Sequence, residues 1–183
     1  MLKGLETWLP DKKQLISFLK EFHTPIFVKE VLPDGNFTYF DPNDDQIYVS
    51  SSVWNIQTIG YNAEKMLHEM VHALTAASIH AVKTNRATKQ DIALYNTTVN
   101  MLQYYQNKYE SEKGIDGKWH GKYYGLNDEN EFIAELLSNS IFVNEVLLSE
   151  KTDSSDFTFL EKLRNLINAI VDILRGKRVS PAT

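Results

Sequence analysis

The chain has 183 residues, 43% hydrophobic and 23% charged, which is the make-up of an ordinary globular protein long enough to bury a core. Its formal net charge of −5 argues against general nucleic-acid binding, which wants clustered Lys and Arg; the Lys177-Arg178 pair is too small for that. Cysteine is absent, so disulfide scaffolds, thiolate metal ligands and thiol nucleophiles are excluded, leaving imidazole and carboxylate as the metal-binding groups.

Met1 to Pro10 carries Glu6 and few apolar residues, which is not the pattern of a signal peptide. No apolar run approaches the roughly 18 residues that a membrane span needs. A cytoplasmic protein without a membrane partner is expected, ahead of a secreted effector lacking a recognisable signal. Gln14 to Phe22 has helical apolar spacing after Pro10-Asp11. Ile26 to Leu32, Phe37 to Phe40 and Gln46 to Ser50 read as three strands, parted by the turns Pro33-Asp34-Gly35-Asn36 and Asp41 to Asp45. An antiparallel meander is the expected pairing. The acidic second turn lacks the spacing and the distal Glu of a calcium loop, and reads as solvated.

Asn62 is the expected N-cap of a helix from about Ala63 to Val82, with Met66, Leu67, Met70, Val71, Leu74 and Ala77 as its buried stripe. A second helix is expected over Thr88 to Ser111. Gly114 to Gly125, with Trp119, Tyr123 and Tyr124, reads as an ordered loop. Asn127 then caps a third helix through about Leu148, and Asp156 to Arg175 reads as a last amphipathic helix. The expectation is one α+β domain over residues 1–183, mostly helical, with a small antiparallel sheet.

The first long helix contains His68-Glu69-Met70-Val71-His72, the pattern HExxH. Four residues of α-helix bring two imidazoles to nearly one face, where both can hold one Zn²⁺, and the intervening Glu69 can then serve water as general base. A catalytic zinc takes a third protein ligand and keeps one position open. His80 would lie about two turns along the same helix, too far for the same ion. His120, in the glycine-punctuated loop, is a candidate. So are Glu131 and Glu135, four apart on one face of the third helix, unless Glu129, Glu131 and Glu135 form a solvated acidic stripe.

With Tyr124-Gly125 and the run Glu131-Phe132-Ile133-Ala134-Glu135, the HExxH segment resembles the catalytic domain of anthrax lethal-factor-type zinc metallopeptidases. It is also similar to peptidase-like domains of phage and mobile-element polyproteins. The resemblance covers two segments within Asn62 to Asn139; residues 1 to 45 take no part, and Ile133 stands where that family has a second Phe. It implies a zincin-like fold of the gluzincin kind, with Zn²⁺ held by His68, His72 and Glu131. In the same pattern Glu69 is the general base and Tyr124 faces the substrate at the metal, donating to the oxyanion or the leaving nitrogen. Glu135 would orient a zinc-binding His through its other N–H.

The implied activity is zinc-dependent hydrolysis of peptide bonds in a protein or peptide. The edge of the sheet at Gln46 to Ser50 would receive the extended substrate by main-chain hydrogen bonds, with Trp54 and Trp119 as subsite or core residues. Phe132 to Leu137 is similar, too, to a run in repressor-cleaving metallopeptidases of the ImmA type, a second enzyme reading. A non-catalytic zinc-containing binding module is a third.

Overall fold

The computed structural model describes residues 16–17, 26–29, 38–41, 44, 46–51, 59–149, 161, 165–166, 168 and 170. The chain forms two compact units, Met1–Ala73 with Leu137–Asn139 and Leu74–Leu136 with Ser140–Thr183.

In the first unit, β1 (Ile26–Lys29), β2 (Thr38–Asp41) and β3 (Gln46–Ser50) form a sheet in the order β1-β3-β2. β3 is antiparallel to β2 but parallel to β1, so the expected antiparallel meander is corrected to a mixed sheet. The physical reason lies in connection length. Only residues 42–45 separate β2 from β3, a length that suits an antiparallel pair, whereas residues 30–45, β2 among them, separate β1 from β3, the length that a parallel pair requires. β3 also has the most to bury: Ile47 and Val49 are enclosed, while Phe27 and Val28 of β1 stand exposed. A central place for β3 removes its role as a substrate-receiving edge. On the face opposite Ile47 and Val49, Phe27, Tyr48 and Tyr39 form an aromatic ladder across the strands, with centroids 5.9 and 5.0 Å apart.

Helix α1 spans Ile59–Lys83, beginning four residues ahead of the expected Ala63, so Asn62 lies inside it rather than at its cap. Met66, Leu67, Met70 and Val71 are buried as their spacing requires, and so is Leu74 further along.

In the second unit, α2 (Lys89–Lys108) starts from a capping box in which Thr88 and Asp91 satisfy each other's backbone N–H. It ends three residues before the expected Ser111, and a 3-10 turn, Glu110–Glu112, follows. Within the expected loop, Gly121–Leu126 is a 3-10 helix. The third helix, α3, is shorter than its apolar pattern suggests: it spans Glu129–Ser138, and Phe142–Leu147 follows as a π-helical turn. Phe132, Ile133, Phe142 and Val146 are fully enclosed. Ile16 and Ser17 are helical, as are the described residues between 161 and 170, of which Leu166 and Ile170 are buried. The other residues of the two expected terminal helices, Gln14 to Phe22 and Asp156 to Arg175, and Phe37, His23 and Trp54, lie outside the described residues. No described helix is long and apolar enough to cross a membrane.

Candidate metal centre

One turn of α1 separates His68 from His72, and their Nε2 atoms converge to 2.9 Å with the rings edge to face. His68 is buried and His72 half-buried. Ligand atoms of His68, His72 and Glu131 all lie within 4.8 Å of one another, a group that could hold a metal ion.

The donor set fits such an ion. Two imidazoles on a tetrahedral cation at about 2.05 Å hold their nitrogens roughly 3.3 Å apart, a few tenths from the spacing seen. Two nitrogens and one carboxylate oxygen are also a donor set that suits zinc and leaves a position open.

Glu69 is half-buried and accepts the backbone N–H of Phe40 on Oε2 at 2.8 Å. The HExxH glutamate is thereby tied to strand β2.

Glu131 owes its place to Asp128. The Asp128 Oδ1 accepts from the N–H groups of Asn130 and Glu131, at 2.8 and 3.0 Å, and so caps α3. The capping expected of Asn127 thus falls to Asp128, and Asn127 is instead a clamp on the preceding segment. Its Nδ2 donates to the carbonyls of Trp119 and Tyr124, while its Oδ1 accepts from the Trp119 N–H. Asx side chains serve caps and turns equally well, so sequence alone does not separate the two neighbours.

Glu129, opening α3, accepts from Tyr95 at 3.0 Å and Lys83 at 3.3 Å. Burial pushes its carboxyl up, but its own backbone N–H, Tyr95 and Lys83 together hold it below the usual range. Burial, with the Glu129 hydrogen bond next, raises the Tyr95 phenol. This tie between α1, α2 and the start of α3 carried no motif that the sequence could reveal.

Tyr124 is exposed and donates its phenol O–H to Oε1 of Glu131 at 3.2 Å. Tyr123, its sequence neighbour, instead packs its ring 5.0 Å from that of Tyr109. Gly125 is buried against α3: a Cβ there would stand 2.8 Å from the Glu135 Cβ and 2.7 Å from Phe142 Cζ. Glu135 itself is only 3% exposed, which overturns a stripe of three solvated glutamates.

The other candidates part from the site. His80 is exposed near the end of α1, and His120 is exposed and bonded to both oxygens of Asp116 at 3.0 Å. That contact with His120 is the main reason the Asp116 carboxyl lies below its ordinary value. Trp119 is buried, with its ring N–H on the Tyr109 carbonyl, a core residue rather than a subsite wall. Comparison with protein-family models, curated proteins and solved structures finds no match for this chain.

Proposed function

We propose that this chain is a zinc-dependent endopeptidase, similar in its site to the lethal-factor-type gluzincins. The observation that carries the reading is the grouping of His68, His72 and Glu131, with Glu69 in the same HExxH turn. His68, His72 and Glu131 would hold the ion. When bound in such a set, zinc acidifies water and polarises a carbonyl oxygen.

Glu69 takes the proton of the attacking water and passes it to the leaving amine. Tyr124 donates its phenol to charge that develops in the transition state, while also steadying Glu131. An extended peptide docks by main-chain hydrogen bonds along β2. That strand is at the sheet's edge, and the peptide takes its remaining outward main-chain groups, since the Phe40 N–H is held by Glu69.

The test is zinc stoichiometry by elemental analysis, followed by incubation with a proteome-derived peptide library. Equimolar zinc is expected, with cleavage that a chelator abolishes and added zinc restores. Tight zinc without cleavage of any peptide would favour a binding module. A protein that takes up no zinc would overturn both readings.

A further inference from the structure

Phe40 faces Ile47 in the antiparallel β2–β3 ladder, yet its N–H goes to Oε2 of Glu69 at 2.8 Å. In such a ladder, alternate pairs exchange both hydrogen bonds, and the pairs between them turn N–H and C=O outward. Phe40 belongs to the outward set, and β2 is an edge in the order β1-β3-β2. Its amide would otherwise be a bare edge donor. A carboxylate acceptor makes this bond charge-assisted, roughly twice as strong as a neutral one.

We propose that the main-chain amide of Phe40 is the positioning group of Glu69. A glutamate side chain has three rotatable bonds, so each partner that fixes a carboxylate oxygen removes orientations from it. With Oε2 fixed on the strand, the carboxylate is held at both ends, and its plane and reach are set before any substrate arrives. Such preorganisation matters because a misplacement of about 1 Å in a reacting group can cost roughly a hundredfold in rate. The device uses backbone, so the side chain at position 40 is immaterial to it and only the N–H counts. The role in catalysis rests on the metallopeptidase reading; the hydrogen bond itself requires no metal.

Phe40→Pro deletes the amide on an edge strand, where proline is tolerated, and Phe40→Leu keeps it. In the zinc-loaded protein, Phe40→Pro should keep zinc stoichiometry and KM while kcat falls about tenfold or more, and Phe40→Leu should turn over like the parent. Full kcat in Phe40→Pro overturns the proposal. Where proline prevents folding, phenyllactate at position 40 replaces the amide by an ester with the side chain intact, and the same loss is expected. A second measurement needs no activity: amide hydrogen exchange by NMR in the metal-free protein labelled at Phe. The Phe40 amide should exchange slowly, and Glu69→Ala should speed it about tenfold or more while leaving the helical amide of Phe132 unchanged. Unchanged Phe40 exchange in Glu69→Ala overturns the proposal whatever the activity. If the parent cleaves no peptide, the metallopeptidase reading fails by itself, and the exchange measurement still decides whether the strand holds Glu69.

Discussion

The phenol of Tyr124 and the carboxylate of Glu131 are joined by a hydrogen bond of 3.2 Å, across a segment that Asn127 and Asp128 hold in place. On the proposed metallopeptidase reading this one hydroxyl would serve two purposes, orienting a candidate metal ligand and meeting charge that forms only during reaction. Tyr124→Phe should weaken zinc binding by about tenfold, as loss of a ligand's hydrogen-bond partner does. It should also lower kcat by roughly a hundredfold. Chelator competition reads the first effect and peptide turnover the second. Tyr123→Phe is the control, because the Tyr123 ring packs against Tyr109. Losses in Tyr123→Phe with none in Tyr124→Phe would transfer the role to the neighbour and weaken Glu131 as a ligand.

Glu69→Gln separates binding from chemistry. The amide keeps the side-chain shape and can still accept the Phe40 N–H through its carbonyl oxygen, but it cannot take a proton. Zinc content should match the parent, and turnover should drop by about 10²–10⁴-fold. A variant that cleaves peptides at the parental rate removes Glu69 from the reaction.

Tyr48, in the middle of the aromatic ladder, gives a pH prediction. Its phenol is pushed up to about 12, first by donating to Asp44 and then by desolvation and nearby negative charge. A raised folded-state value means that the bond's contribution is whole below the phenol's ordinary value of 10.0, and is lost as pH rises through about 12. Asp44→Asn removes the charged acceptor, so the Tyr48 phenolate should appear at lower pH. Ultraviolet difference titration, with Tyr48→Phe to assign the signal, measures it. An unmoved titration in Asp44→Asn would show that Asp44 does not hold the phenol.

The parts of this architecture that follow a local period were legible in the sequence. HExxH needs only one helical turn, and the buried face of α1 at Met66, Leu67, Met70 and Val71 follows from the same spacing. Strand order was hidden, because alternation assigns faces and says nothing of neighbours; β3 reads alike at an edge or in the middle. Periodicity also could not choose between Glu131 and Glu135, one turn apart on α3. They differ in surroundings: Glu135 is buried against Gly125, whereas Glu131 lies in the first turn beneath the Asp128 cap, within reach of Tyr124. The end of α3 was masked in another way. Phe142, Val146 and Leu147 continue an apolar pattern past Ser138, so the change to a π-helical turn left no mark in hydrophobicity.

Gly125 is the residue whose replacement tests the packing behind Tyr124. Its need for glycine is a matter of space: an added Cβ would lie 2.7 and 2.9 Å from Phe142 ring carbons and 2.8 Å from the Glu135 Cβ. Phe142 and Glu135 are both buried, so neither can swing clear into solvent. Gly125→Ala must push the 3-10 segment away from α3 or displace the Phe142 ring, an overpacking that costs about 1–3 kcal/mol. Because Tyr124 is the adjoining residue, the same shift should lengthen its bond to Glu131 and weaken zinc binding. Phe142→Leu added to Gly125→Ala removes the ring carbons that the methyl meets, and should recover part of the stability. Gly117 supplies the contrast. It has a positive φ of 75° with open space around it, so Gly117→Ala should cost only the roughly 1–2 kcal/mol of left-handed backbone strain and leave zinc affinity unchanged. Thermal unfolding and chelator competition on these variants decide the matter. Parental zinc affinity in a destabilised Gly125→Ala would mean that the packing under Tyr124 supports the fold without setting the position of Glu131.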